Sequence, residues 1–224
     1  MAKKVLLVAV MVALVAGGAF AQVSLGGGFS MDGGRLGGIK FDGKDDDGAS
    51  YKSTQTMDAW NFGGHLFFDA TYAELSFGFL GGPMPSKWTM DKESETYKAS
   101  NMAMDISLLG KYPIDLGSMS LFPMLGVGYS VVLSAKDEDG KDLYPSESEY
   151  KAGDLSNFRI LLGVGGDFNI TDNLFFRSSL LGSLRFPGKI LSDMAKDDDG
   201  KKIDGVSSTL GFGAAVKLAI GYRF

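Results

Sequence analysis

From Leu210 to Phe224 the chain alternates almost without fault, and this constrains the fold more than any other feature. Leu210, Phe212, Ala214, Val216, Leu218, Ile220, Tyr222 and Phe224 share one parity, while Gly211, Gly213, Ala215, Lys217, Ala219, Gly221 and Arg223 share the other. A strand sends successive side chains to opposite faces, so this segment has an apolar face and a small-or-charged face. A tilted membrane strand needs only about 9–11 residues. The segment is therefore long enough to cross a bilayer, and it reads as the closing strand of a transmembrane β-barrel.

The other end of the chain agrees. Lys3 and Lys4 precede an apolar run from Val5 to Ala16, and Ala19-Phe20-Ala21 forms an A-x-A cleavage site before Gln22. Residues 1–21 read as a secretory signal peptide and residues 22–224 as one barrel domain. There is no cysteine, which removes disulfides, thiolate metal sites, cysteine nucleophiles and the lipid-bearing cysteine of a lipoprotein. Without Lys3 and Lys4 the balance is 20 Lys+Arg against 27 Asp+Glu, a net charge of −7, which argues against nucleic acid as a partner. Beyond the signal peptide no stretch approaches the ~18 consecutive apolar residues of a membrane helix. Yet 45% of the chain is hydrophobic and 32 residues are glycine, a composition that suits membrane strands.

Eight segments alternate with period two: 23–32, 60–70, 72–80, 101–112, 118–133, 158–168, 174–186 and 210–224. The connections alternate too. Thr71, residues 113–117 and residues 169–173 are short links, whereas residues 33–59, 81–100, 134–157 and 187–209 are long and polar. An even number of antiparallel strands with short periplasmic turns and long outer loops is the outer-membrane pattern. The expected fold is an all-β, eight-stranded antiparallel transmembrane barrel with four long extracellular loops. Outward aromatics fall in two bands, Phe68, Tyr112, Phe168, Phe176, Tyr222 and Phe224 at one end and Trp60, Phe79, Tyr129, Phe158, Phe186 and Phe212 at the other, as expected for rings at headgroup level.

With Leu218-Ala219-Ile220-Gly221-Tyr222-Arg223-Phe224 as its last strand, the chain resembles the small eight-stranded outer-membrane barrels of the OmpA, OmpX and OmpW class. The resemblance covers the whole mature chain as architecture. It implies residence in a bacterial outer membrane, and it implies that Leu218, Ile220, Tyr222 and Phe224 form the signal read by the barrel assembly machinery. Likeness to OmpW-type barrels would also imply a partly apolar cavity for a hydrophobic small molecule.

The inward parity carries a mixed-sign set: Asp69, Glu74, Asp105, Lys111, Arg159, Asp167, Arg177, Arg185, Lys217 and Arg223. Such charges either line a selective channel or form a salt-bridge network filling a narrow barrel. Their balance of signs favours the network, with Glu74 set near Lys111 and Asp167 near Arg177. The same face bears Phe67, Phe122, Met124, Leu161, Phe175 and Leu181 among many glycines. Glycines make room for rings, or they line a cavity, and the pattern alone fits both.

No catalytic group is expected. His65 is the only histidine, and Asp69 on the same face is four positions away, about 13 Å along a strand and too far for a His–Asp hydrogen bond. Three loops share a Lys-acid-acid-acid-Gly run, at 44–48, 136–140 and 196–200. An EF-hand needs an acid five residues before its glycine, and those positions are Gly43, Ala135 and Ala195. Asp-Gly turns at hairpin tips are the better reading, with no metal or cofactor expected and with acidic tips offered to host or surface ligands. Two functions follow from these features: a narrow pore or channel for small solutes, hydrophobic ones included, or a surface-exposed structural or adhesive barrel with a packed lumen and interacting acidic loops.

Overall fold

The computed structural model describes residues 22–44, 50–90, 93–145, 147–197 and 199–224; the signal-peptide expectation for residues 1–21 lies outside them. Eleven strands follow in order: β1 (Val23–Lys44), β2 (Ser50–Ala70), β3 (Ala73–Pro83), β4 (Ser86–Met90), β5 (Glu93–Tyr97), β6 (Ala99–Lys111), β7 (Ile114–Asp115), β8 (Met119–Asp137), β9 (Asn157–Asn169), β10 (Leu174–Arg185) and β11 (Val206–Arg223). A 3-10 turn at Ala152–Leu155 and a one-turn helix α1 (Lys189–Asp193) lie in the last two outer connections.

Every pairing is antiparallel, and the order β1-β11-β10-β9-β8-β6-β3-β2 closes because β1 also pairs with β2. Eight strands thus form a ring. At the seam Ser24 stands opposite Arg223, and the Phe224 backbone N–H donates to the Val23 carbonyl at 3.0 Å. Closure satisfies the edges that an open sheet would expose to lipid.

The expected parity holds around the ring. Leu25, Phe29, Trp60, Phe77, Leu125, Leu162, Leu180, Phe212 and Ile220 are exposed on the outer wall, while Phe67, Phe122, Met124, Leu161, Phe175 and Leu181 are buried inside. Outer aromatics pair across strands near both ends of the wall, Phe158 with Phe186 at 5.7 Å and Phe168 with Phe176 at 6.3 Å between ring centroids. An apolar outer face and a mixed inner face are what a bilayer-spanning barrel requires.

The structure departs from expectation above the ring. Residues 33–44 and 50–59, expected as loop, continue β1 and β2, and residues 86–90 and 93–97 form the hairpin β4–β5. The strands persist because ladder hydrogen bonding does not depend on a membrane. Beyond the bilayer both faces meet water or loop, so the apolar alternation that marks a buried strand is no longer demanded there. A bulge between Arg35 and Gly37 bends β1 at this transition, with Gly34 at φ +138° and Gly37 at φ +159°.

Candidate functional site

The interior is built in layers. Nearest the termini, Arg177 of β10 forks onto Asp167 of β9, Nε to Oδ1 at 2.6 Å and Nη2 to Oδ2 at 2.7 Å. Its Nη1 donates to Glu74 Oε2 at 2.7 Å, and Nη2 also lies 2.6 Å from Asp69 Oδ2. Lys111 donates to the same Asp69 carboxylate. One guanidinium therefore joins carboxylates from β2, β3 and β9. Phe67 and Phe175 flank it, their ring centroids 4.4 and 5.1 Å from its central carbon, so its faces are covered as well as its edges.

Around this clamp three rings, Phe67 and Phe175 among them, fill the barrel by lying on glycines. A Cβ at Gly165 would stand 2.2 Å from the Phe122 ring, one at Gly221 2.3 Å from Phe175, and one at Gly26 2.4 Å from Phe67. Leu109, Met124, Leu161 and Leu181 pack with Phe122. Lys217 enters at this level from β11 and donates to Ser76 Oγ at 2.7 Å; no carboxylate stands within 4 Å of it among the described residues.

A second ionic layer lies toward the outer end. Arg159 donates to Asp32 Oδ2 and to Asp105 Oδ2, each at 2.6 Å, and Arg185 donates to the other Asp32 oxygen. The space left beside Asn61, Asn101 and Asn157 measures about 10 Å³. That is about the smallest space that admits one water molecule.

The outer mouth is then covered. Leu36, Met57, Ala59, Val132 and Ala135 of the wall and Met84 of the β3–β4 link cluster with Leu155 from the 3-10 turn and Ile190 from α1. Tyr144 and Tyr150 pack against that cluster. Burial raises the Tyr144 phenol above its ordinary value of 10.0. The two loops interlock at Gly188, where any Cβ would come 2.7 Å from the Asp154 carbonyl and 2.8 Å from that of Ser156.

Most of the expected charges meet as a network, with changes of partner. Asp167 and Arg177 pair as expected. Glu74 does not bond Lys111; it reaches across the lumen to Arg177, and Lys111 takes Asp69. Ladder neighbours at one strand end need not be ionic partners in a narrow barrel, because long side chains cross the lumen. Arg223 sits at the rim nearest the termini, donating to Asn169 Oδ1 at 2.6 Å with Asp167 at 3.4 Å. The missed member is Asp32, which holds two arginines. It shares the inward parity of Ser24, Gly26, Gly28 and Ser30, so the alternation itself carried the signal. Leu218, Ile220, Tyr222 and Phe224 stand on the outer wall, all exposed.

The acidic turns are hairpin tips, as expected, for the two copies described. Asp137 Oδ1 accepts from the backbone of Asp139 and Lys141, and Asp197 Oδ1 from that of Asp199 and Lys201, with Gly140 and Gly200 at φ +78° and +75°. The copy at 44–48 falls largely outside the described residues. Residues 33–59, 81–100, 134–157 and 187–209 carry 20 acidic against 14 basic side chains, so nearly all the net charge belongs to the outer rim.

No protein-family model matches the chain, and no curated protein sequence does. Solved structures give weak likenesses. Ail, the attachment invasion locus protein of Yersinia pestis, solved with the heparin analogue sucrose octasulfate, is 15% identical over 91% of this chain and 99% of its own, with a TM-score of 0.38. The outer membrane protein AlkL, solved in lipid bilayers, is 13% identical over 91% of this chain and 90% of its own, at 0.43. The outer membrane protease OmpT of Escherichia coli is 8% identical over 91% and 97%, at 0.41. These likenesses concern the fold alone, and the closed ring with its apolar outer wall makes the chain a small β-barrel of the outer-membrane type.

Proposed function

We propose that this chain is an integral protein of a bacterial outer membrane, closed along its axis by its own side chains, that works through its outer rim. The observation that carries this reading is Arg177, held by three carboxylates and capped by aromatic rings across the full width of the barrel. A conducting path would have to break at least one of those bonds, and then pass the Phe122 layer and the Asp32 network. What remains free to act lies outside: the extended strands, the β4–β5 hairpin and the acidic tips, offered to surface or host ligands. His65 is buried within the packed lumen, and this reading assigns the chain no reaction. In this reading Leu218, Ile220, Tyr222 and Phe224 serve the barrel assembly machinery during insertion.

The alternative is the narrow pore. Planar-bilayer recording on refolded protein, with folding checked by the gel shift on heating, separates the two. A silent, folded barrel supports the rim reading, and discrete reproducible openings would overturn it.

A further inference from the structure

The β4–β5 hairpin continues the lumen-facing parity of β3 and β6 above the mouth. Met90, Trp88 and Ser86 stand opposite Ser53, Gln55 and Met57 of β2, and Glu93, Glu95 and Tyr97 stand opposite them in turn. Directly opposed residues share a face. That face forms a cavity of about 340 Å³ lined by Trp88, Met90, Glu93, Glu95 and Tyr97.

Its chemistry is specific. Trp88 is held flat by Phe41 of β1, with ring centroids 6.5 Å apart and planes 10° from parallel. Tyr97 donates its hydroxyl to Glu95 Oε2 at 2.8 Å, which sets that carboxylate opposite Trp88 in the ladder. Lys87 belongs to the other parity and faces away. Ser53, buried at 5% exposure between Phe41 and Met90 on the same face, keeps an Oγ without a hydrogen-bond partner among the described residues. Two π-faces, a thioether and two carboxylates in one concave surface complement a cation with an apolar shell. An aromatic face attracts ammonium groups, most strongly a quaternary one. Anions are disfavoured by Glu93 and Glu95, and a purely apolar ligand would leave both carboxylates partly desolvated.

We propose that this rim face binds a small, soluble alkylated ammonium compound, its positive head between Trp88 and Glu95 and its apolar part against Met90. The proposal rests on the rim being the working part of the barrel.

The test uses choline as probe and 3,3-dimethylbutan-1-ol as its neutral isostere, in a non-ionic detergent free of choline headgroups. The chain has two tryptophans, so W60F leaves Trp88 as the sole indole. Choline should change its fluorescence saturably and the alcohol should not. E95Q should weaken choline binding about ten-fold or more, and its heat-shifted gel band verifies folding. No saturable change, an equal response to the alcohol, or unaltered affinity in E95Q would each overturn the cation site. The same preparation in a planar bilayer reads the rim proposal separately: a silent bilayer without choline binding removes this site alone, whereas discrete openings remove the reading on which it rests.

Discussion

Arg177 and Asp167 stand directly opposite each other on β10 and β9, and their side chains form a two-pronged bond at 2.6 and 2.7 Å. The remaining donors of the same guanidinium reach Glu74 and Asp69, on strands that are not its neighbours in the ring. Local ladder and cross-barrel tie are thus made by one side chain. A planar fork can do this, while a single ammonium cannot match its geometry.

Replacing Arg177 by methionine leaves three carboxylates buried around an apolar chain. Removing one side of a buried ionic group costs about 3–5 kcal/mol, so R177M should unfold at markedly lower urea than the parent. R177K, which keeps the charge and loses the fork, should fall between them. Urea titration of the refolded barrel, read by the heat-shifted band, checks both. Equal midpoints for all three proteins would show that the network contributes nothing.

The rings of Phe122, Phe175 and Phe67 lie on Gly165, Gly221 and Gly26. G165A should cost about 1–3 kcal/mol by forcing the Phe122 ring from its seat. Shortening that ring as F122L in the G165A background should return part of the loss, because the two changes share one space. A double-mutant cycle in urea measures the coupling, and additive effects would mean that the glycine is present for some other reason.

The ring of eight strands was legible because lipid outside and packing inside impose strict alternation, as in 210–224 and 158–168. The signal failed where that demand ends. The upper parts of β1 and β2 show no clean parity, and the Arg35–Gly37 bulge shifts what parity there is. Charges were located correctly but not always partnered, since alternation gives a residue's side and height and not the reach of its side chain. Glu74 and Lys111 illustrate this, and Asp32, inward by parity, shows its importance only through the reach of Arg159 and Arg185. The cap was invisible: Leu155 and the pair Ile190-Leu191 are sparse apolar residues in polar loops, and nothing local says that Leu155 and Ile190 turn back over the mouth.

Tyr144 gives the cap a pH dependence. Burial favours the neutral phenol and raises its folded pKa above 10.0. The unfolded loop, with the lower pKa, releases its proton first as pH rises. Stability from a buried neutral Tyr144 is therefore complete below pH 10 and is lost as pH climbs through the folded value. Proteolysis of the 138–156 loop by an alkaline protease should accelerate as pH rises past 10.0, the ordinary value of the phenol, after correction for the enzyme's own profile. Y144F should remove that acceleration, and an unchanged profile in Y144F would place the titrating group elsewhere.

The cap and the lumen layers should also separate experimentally. Ile190 packs with Leu155 over the mouth and touches neither the Arg177 clamp nor the Phe122 layer. A charge there would bury an unpaired carboxylate, so in I190D the loop should swing out instead of paying that desolvation cost. Protease sensitivity of residues 187–205 should rise at least several-fold, with the urea midpoint of the barrel nearly unchanged, because the membrane-spanning ladders are intact. The decisive reading is electrical. If the lumen is closed in layers, I190D with its cap released remains silent in a planar bilayer, since Arg159, Phe122 and Arg177 still fill the axis. If I190D conducts, the cap alone is the closure, and the packed interior beneath it yields to solutes once the loops move away.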